Sequence, residues 1–415
     1  MQRVILHSDC NNFYASVECL HRPEIRDKPV AVTGDAELRH GIVLAKNDIA
    51  KKYGVQTGEP IWAARQKCAG LVLVPANFPL YLRFSRLCRQ IYLDYTDRVE
   101  PFGLDEAWLD VTGSARLLGD GRQIAQDIRR RIRYELGITV SIGVSYNKIF
   151  AKLGSDLKKP DAVSVLSKDN YKQRVWPLPA ENLLYVGPAT KRKLSAFGVH
   201  TIGAVANTPA KVLRAKFGKW GDILWCFANG LDTSPVAAFD ACTPVKSIGN
   251  STTAPRDLQT PEDIAVVYTV LADSVARRMR EQGVWGRTVT ICIRDNQLYS
   301  ITRQCRMERY SDLTSDILHT AMDLFGRVYH WSHPVRSVGL SVSDLIPAAG
   351  WAQTDLFRDE HQRLRQERLN RSVDWLKSRF GSYCVRPAVL LTDETLSRFD
   401  PKSEHTIHPV GYFRR

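Results

Sequence analysis

Three acidic residues stand where strand-like runs end. Asp9 follows the apolar Val4-Ile5-Leu6, and the adjacent pair Asp105-Glu106 lies between strand-like runs at 98–104 and 107–112. Carboxylates gathered at the margin of a core are costly to bury unpaired, so a cation is their natural partner. Mg²⁺ suits such a place, because it takes one or two carboxylates and completes its octahedron with waters and phosphate oxygens. Two such ions lower the pKa of an attacking hydroxyl and neutralise a departing phosphate group. Adjacent side chains on a strand point to opposite faces, so a turn or bulge has to bring Asp105 and Glu106 to one site, and Gly103 is placed to permit it. An Asp-Glu pair alone is more often an exposed turn. Asp110, further along the same run, is read as structural rather than as a ligand.

The elements that position these acids show in the hydrophobic periodicity. A helix is expected over 12–20, directly after Asp9, and strands at 29–33 and 42–45 flank a turn rich in Gly and charge. Next come a helix at 48–53 and an amphipathic helix over 78–98, with Leu80, Phe84, Leu87, Ile91 and Tyr95 recurring at helical spacing. A basic helix over 121–136 leads into a strand at 139–144. Strands and helices mix without a strict βαβ alternation, which predicts an α+β class. From 167 the chain turns to short helices with Gly turns, and 232–245, with Pro235 and Pro244, reads as a linker. Residues 246–345 predict a second α+β module: helix 261–282, strands 287–294 and 299–306, helix 311–329 and strand 335–342. A polar tail with one basic helix near 358–379 follows.

A chain of 415 residues with a formal charge of +14 has room for several modules and a field that attracts polyanions. The excess is uneven: 167–234 holds ten basic residues against four acidic, while 246–345 is nearly balanced. Nine cysteines without a CxxC pair or zinc-like spacing read as buried thiols of a reducing, cytoplasmic compartment. No stretch approaches the ~20 apolar residues of a membrane span, so no membrane partner is expected.

Three strings narrow the chemistry. Asp9-Cys-Asn-Asn-Phe-Tyr-Ala-Ser-Val-Glu18, Glu100-Pro-Phe-Gly-Leu-Asp-Glu-Ala-Trp-Leu-Asp-Val-Thr112, and Ser141-Ile-Gly-Val-Ser-Tyr-Asn-Lys148 with Ala151-Lys152, Ser155-Asp156 and Lys158-Lys159-Pro160 resemble, in order and spacing, the motifs of Y-family DNA polymerases. The likeness spans roughly residues 3–345 and is greatest to the bacterial DinB-like branch. It implies a multidomain α+β right hand: a palm at 1–18 and 78–166, small fingers at 19–77 and a helical thumb at 167–234. A linker at 235–245 and a DNA-binding little finger at 246–345 follow, then a tail at 346–415. The implied activity is templated, low-fidelity, translesion DNA synthesis by a cytoplasmic monomer, with primer-template DNA and a deoxynucleoside triphosphate as substrates.

By that resemblance Asp9, Asp105, Glu106 and the main-chain carbonyl of Cys10 hold two Mg²⁺ ions, with Mn²⁺ as a possible substitute. Tyr14 falls where the family places its steric gate, a ring that leaves no room for a 2′-hydroxyl. The amides of Asn12 and Phe13 meet the triphosphate at a helix start, joined by Lys159 and Lys51. Here the sequence departs from the family, which commonly shows Thr, Tyr and Arg where this chain has Ala45, Asp48 and Lys51. Weaker nucleotide binding, or compensation by Lys46 or Asn47, is the expected consequence. Leu183–Leu194 resembles a helix–hairpin–helix, with the Val186 and Gly187 amides and Lys191 on a DNA phosphate. Lys246, Ser247, Thr302, Arg303 and Arg306 are the expected DNA contacts of the little finger. Gln353, Leu356 and Phe357 resemble the peptide that bacterial polymerases insert into their β-type sliding clamp. A nucleotide cyclase shares the paired acids but leaves the basic 167–234 region and the clamp-like peptide unexplained. A non-catalytic DNA-binding protein is the other reading, kept open by the altered 45–51 stretch.

Overall fold

The computed structural model describes residues 3–34, 41–241, 244–348 and 360–404. The chain forms two compact units, divided at residues 242–243.

The first unit is built on a five-stranded sheet. Its strands are β1 (Ile5–Cys10), β5 (Val99–Pro101), β6 (Glu106–Asp110), β7 (Val140–Ser145) and β8 (Val163–Val165), in the order β5-β6-β1-β7-β8. All six residues of β1 are buried, as a central strand covered on both faces requires. Alternation then sorts its side chains. Leu6 and Cys10 enter one core with Leu109 of β6 and with Tyr81, Phe84, Cys88 and Ile91 of the helix Phe78–Leu93. Ile5 enters the other, with Trp108 of β6 and with Ile149, Phe150 and Leu153 of the helix Lys148–Leu157. Asp9 and Glu106 share the parity of Ile5 and Trp108, so both acids belong to the face covered by Lys148–Leu157.

That helix starts at Asn147, whose side chain accepts from the Phe150 N–H and donates to the Gly230 carbonyl. It lies against the sheet at Gly143, where an added Cβ would stand 1.9 Å from the Ala151 carbonyl oxygen. Only glycine allows that approach.

A smaller sheet of β2 (Val30–Thr33), β3 (Val43–Lys46) and β4 (Val72–Pro75), in the order β3-β2-β4, carries the segment expected to form fingers. Residues 171–228 form short helices, the helix-rich texture expected from their sequence.

The second unit is a four-stranded sheet of β9 (Ser247–Leu258), β10 (Val284–Asp295), β11 (Ser300–Ser311) and β12 (Val335–Pro347), ordered β11-β10-β12-β9. Helices Pro261–Glu281 and Thr314–Val328 cover one face through Val289, Ile291, Val338, Leu340 and Val342. The segment expected as a free polar tail is, over 360–404, part of this unit. Helix Glu360–Phe380 is tied to Pro261–Glu281 by Asp374 on Arg280 (2.6 Å) and Asp273 on Lys377 (2.7 Å), and Leu390 and Leu396 enter the core. Not all thiols are buried either: Cys10, Cys68 and Cys88 are, whereas Cys292 and Cys384 are exposed. Among the described residues no helix is long and apolar enough to cross a membrane.

Candidate active site

The three acids predicted from the sequence lie at one end of the central sheet. Asp9 of β1 sits directly opposite Glu106 of β6 in antiparallel register, which places their side chains side by side on one face. Asp105 occupies the turn before β6, and its carbonyl accepts the Cys10 N–H at 2.9 Å. The hairpin reverses through Gly103 at φ +90°, a conformation only glycine adopts without strain. Asp110 accepts from the Thr112 N–H (3.1 Å) and hydroxyl (2.6 Å), the structural role expected for it. The Cys10 thiol packs 4.0 Å from that of Cys88 in the core, so what this residue offers an ion is its main chain.

Two lysines pair with two of the acids. Lys159 Nζ donates to Asp9 Oδ2 at 2.8 Å and pairs with Asp156 at 2.9 Å. Lys152 Nζ pairs with Glu106 Oε2. Burial raises the Asp9 carboxyl to about 6, a rise Lys159 only partly offsets. Burial, then the charges of Glu106 and Asp9, raises Asp105 to about 7. For Glu106 burial is outweighed by His7 and Lys152, and the group falls to about 2. Burial holds His7 at about 4.

This site is short of positive charge and presents oxygen donors, the match for a hard divalent cation. Among the described residues no three His, Cys, Asp or Glu side chains yet converge on one point, with Asp9 turned to Lys159 and Glu106 to Lys152.

Asn12, in the left-handed conformation at φ 49°, turns the chain from β1 into the helix Phe13–His21. Asparagine tolerates that conformation better than most residues. The first amides of this helix, beginning with Phe13, lack intrahelical partners and favour anions. Tyr14 stacks on Tyr81 with centroids 4.3 Å apart and meets Phe78 edge-on at 6.0 Å. Burial, then the charge of Asp105, raises its phenol to about 12. Tyr81 is pinned in turn, its hydroxyl donating to the buried Glu18 at 2.7 Å.

Of the two residues expected to compensate for the altered 45–51 stretch, Asn47 is already committed. It caps the helix Asp48–Lys52 and bonds to Val30 and Lys28. Lys46 donates to the Thr57 hydroxyl at 3.1 Å, and burial, then the charge of Lys51, lowers its pKa.

One of the DNA-contact predictions needs correction. Val186 is buried and donates its N–H to the Leu183 carbonyl at 3.0 Å, so its amide is not available to a phosphate. Gly187 caps the helix Pro188–Ser195, and Lys191 of that helix pairs with Glu181. In the second unit register joins Ser247 to Ser343, Ser343 to Thr288 and Thr288 to Arg306, one row across one face; Thr302, opposite Cys292, shares that face. Arg303 is opposite Ile291, on the other face of the edge strand, and is exposed. Lys246 is exposed just before β9. Gln353, Leu356 and Phe357 lie outside the described residues.

Residues that sequence reasoning passed over also belong here. His7 and Lys152 contact Glu106, and Lys148 is buried on Glu100 at 2.8 Å. The helical spacing of Lys148, Lys152, Ser155 and Lys159 was the available signal.

Comparisons with known proteins agree with this arrangement. Residues 8–156 match the impB/mucB/samB family, and residues 245–356 match the C-terminal domain of the same family. The chain is 54% identical to a DNA polymerase IV of Acetivibrio thermocellus, over 96% of this chain and 100% of that one. It is 42% identical to a DNA polymerase IV of Moorella thermoacetica, over 94% and 96%. Among solved structures, a Y-family DNA polymerase chimera, Dbh-Dpo4(243-245)-Dbh, shares the fold at a TM-score of 0.72 and 23% identity, covering 83% of this chain and 99% of that one.

Proposed function

Because the chain belongs to the Y-family DNA polymerases, in the DNA polymerase IV group of the impB/mucB/samB family, we propose that it extends primers by two-metal nucleotidyl transfer, with low fidelity and across damaged templates. The observation that carries this is the placement of Asp9, Asp105 and Glu106 at one end of the central sheet, where the helix that bears Tyr14 begins.

Asp9, Asp105, Glu106 and the Cys10 carbonyl would hold Mg²⁺, or Mn²⁺ in its place. When bound, the ions supply Lewis acidity that activates the primer hydroxyl and stabilises the leaving pyrophosphate. Lys159 keeps Asp9 balanced until a triphosphate offers it phosphate oxygens instead. The Asn12 and Phe13 amides orient the same phosphates, with Lys51 and its neighbour Lys46 supplying charge from the fingers. Tyr14, backed by Tyr81, leaves no space for a 2′-hydroxyl. Gly187 and Lys191 in the thumb, and Lys246, Ser247, Thr302 and Arg306 in the little finger, hold the DNA backbone without reading sequence. Gln353, Leu356 and Phe357 reach the sliding clamp. A cytoplasmic monomer belongs to the same reading.

Purified protein with Mg²⁺ is expected to extend a primer on undamaged and abasic templates; no template-directed extension on either would remove the proposal. Deleting residues 353–357 is expected to leave synthesis on short primers unchanged and to abolish stimulation by a bacterial clamp. Stimulation that survives the deletion rules out the clamp assignment.

A further inference from the structure

His7 is fully buried, two residues before Asp9 on the same face of β1. Its Nδ1 lies 2.9 Å from the Ser155 hydroxyl oxygen. Its Nε2 stands 3.2 Å from Glu106 Oε2, off the line of a good hydrogen bond and with no other partner among the described residues. The ring has little freedom to move. Trp108 meets it at 61° with centroids 5.1 Å apart, and its register partner is Gly143, the point where the helix Lys148–Leu157 touches the sheet. That close approach is what brings Ser155 onto the imidazole.

A neutral imidazole carries one N–H, and its neighbours choose the nitrogen. A bare Nε2 would set its lone pair against the carboxylate of Glu106. With the proton on Nε2 the ring donates to Glu106, and Nδ1 becomes an acceptor for the Ser155 hydroxyl. That hydroxyl has one other acceptor in reach, the Lys152 carbonyl at 2.7 Å, so it is positioned to serve either tautomer. Glu106 therefore sits between two donors of different kinds: Lys152, an ammonium on a long stem that a cation can displace, and His7, a rigid ring that stays in place.

We propose that His7 is a positioning residue that donates from Nε2 to Glu106 and fixes the orientation of this carboxylate for cation binding, with the acceptor-only carboxylate favouring that tautomer and Ser155 accommodating it. The inference rests on the reading of Glu106 as a metal ligand. Hydrogen-bond partners behind metal ligands are commonly worth about 10–100-fold in metal affinity.

The test is Mn²⁺ affinity of the full chain without DNA or nucleotide, measured by electron paramagnetic resonance, alongside melting temperature. His7→Phe keeps a ring and removes the donor, and is expected to weaken Mn²⁺ binding by about 10-fold. His7→Gln, which retains a side-chain N–H, is expected to recover most of the loss, and Glu106→Gln to lose at least as much as His7→Phe. Unchanged affinity in His7→Phe while Glu106→Gln loses affinity overturns the inference and leaves the role of Glu106 standing. Unchanged affinity in Glu106→Gln overturns both. Equal losses in the Phe and Gln variants also overturn it, since His7 would then act by packing. Should His7→Phe fail to fold, His7→Met, which also lacks the donor, is read in its place: about a 10-fold loss supports the inference, and wild-type affinity overturns it.

Discussion

Replacing Asp105 by asparagine is expected to stabilise the metal-free protein at pH 8 while cutting primer extension by at least about 1,000-fold, equivalent to roughly 4 kcal/mol of transition-state stabilisation. The two effects share one cause. Asp105 is raised to about 7 from an ordinary 3.8 by burial and by the charges of Glu106 and Asp9, so the fold works against its ionised form. Below pH ~4 the carboxyl is protonated whether the chain is folded or not, and it takes nothing from stability. As the pH rises from 4 to 7 the unfolded chain releases its proton first, and native stability falls. Above 7 the loss is complete and constant. Asparagine carries no such penalty. A shift this size has a ceiling of about 4 kcal/mol, and solvent reaching a partly exposed carboxylate reduces it to about 1–2 kcal/mol, a few degrees in melting temperature. Thermal melts across pH check this. The variant should gain at pH 8, gain nothing near pH 4, and lose its advantage when Mg²⁺ is added, because only the wild type binds the cation well. A variant less stable than wild type at pH 8, or one that still extends primers, contradicts the assignment of Asp105.

The second large effect concerns the sugar. Tyr14→Ala is expected to raise ribonucleotide insertion relative to deoxynucleotide insertion by about 100-fold, roughly 2.7 kcal/mol. Tyr14→Phe should keep the exclusion. The ring excludes by position rather than by its hydroxyl: it lies flat on Tyr81, is braced edge-on by Phe78, and cannot retreat because Tyr81 is pinned to Glu18. Competition between matched ribo- and deoxynucleotides on one template measures the ratio. An unchanged ratio in Tyr14→Ala removes Tyr14 as the gate.

The acids and the hairpin were legible in the sequence because their chemistry is local. Asp9 ends an apolar run, Asp105-Glu106 follows a glycine suited to a turn, and strand alternation does the rest. His7 was not legible. A histidine inside an apolar strand gives no sign of whether it meets Trp108, Ser155 or Glu106, since all three arrive from other elements. Strand β9 was missed because Ser247-Ile-Gly-Asn-Ser-Thr-Thr253 is polar and Gly-containing and lacks a strand's apolar alternation; pairing with β12 makes it a strand. The packing of 360–404 was missed for a related reason. Helix Glu360–Phe380 is dominated by charge, and its attachment runs through Asp374 and Lys377 rather than through an apolar stripe.

The most direct examination of the central claim is a crystal structure of the chain with primer-template DNA, a non-hydrolysable deoxynucleotide and Mn²⁺, with the metal located by anomalous scattering. The account predicts two Mn²⁺ ions bound by oxygens of Asp9, Asp105, Glu106 and the Cys10 carbonyl, at roughly the 2.0–2.2 Å expected of small hard cations, with Lys159 moved from Asp9 to the triphosphate. Manganese sites elsewhere, with Lys159 and Lys152 still on Asp9 and Glu106 beside a bound nucleotide, would contradict it.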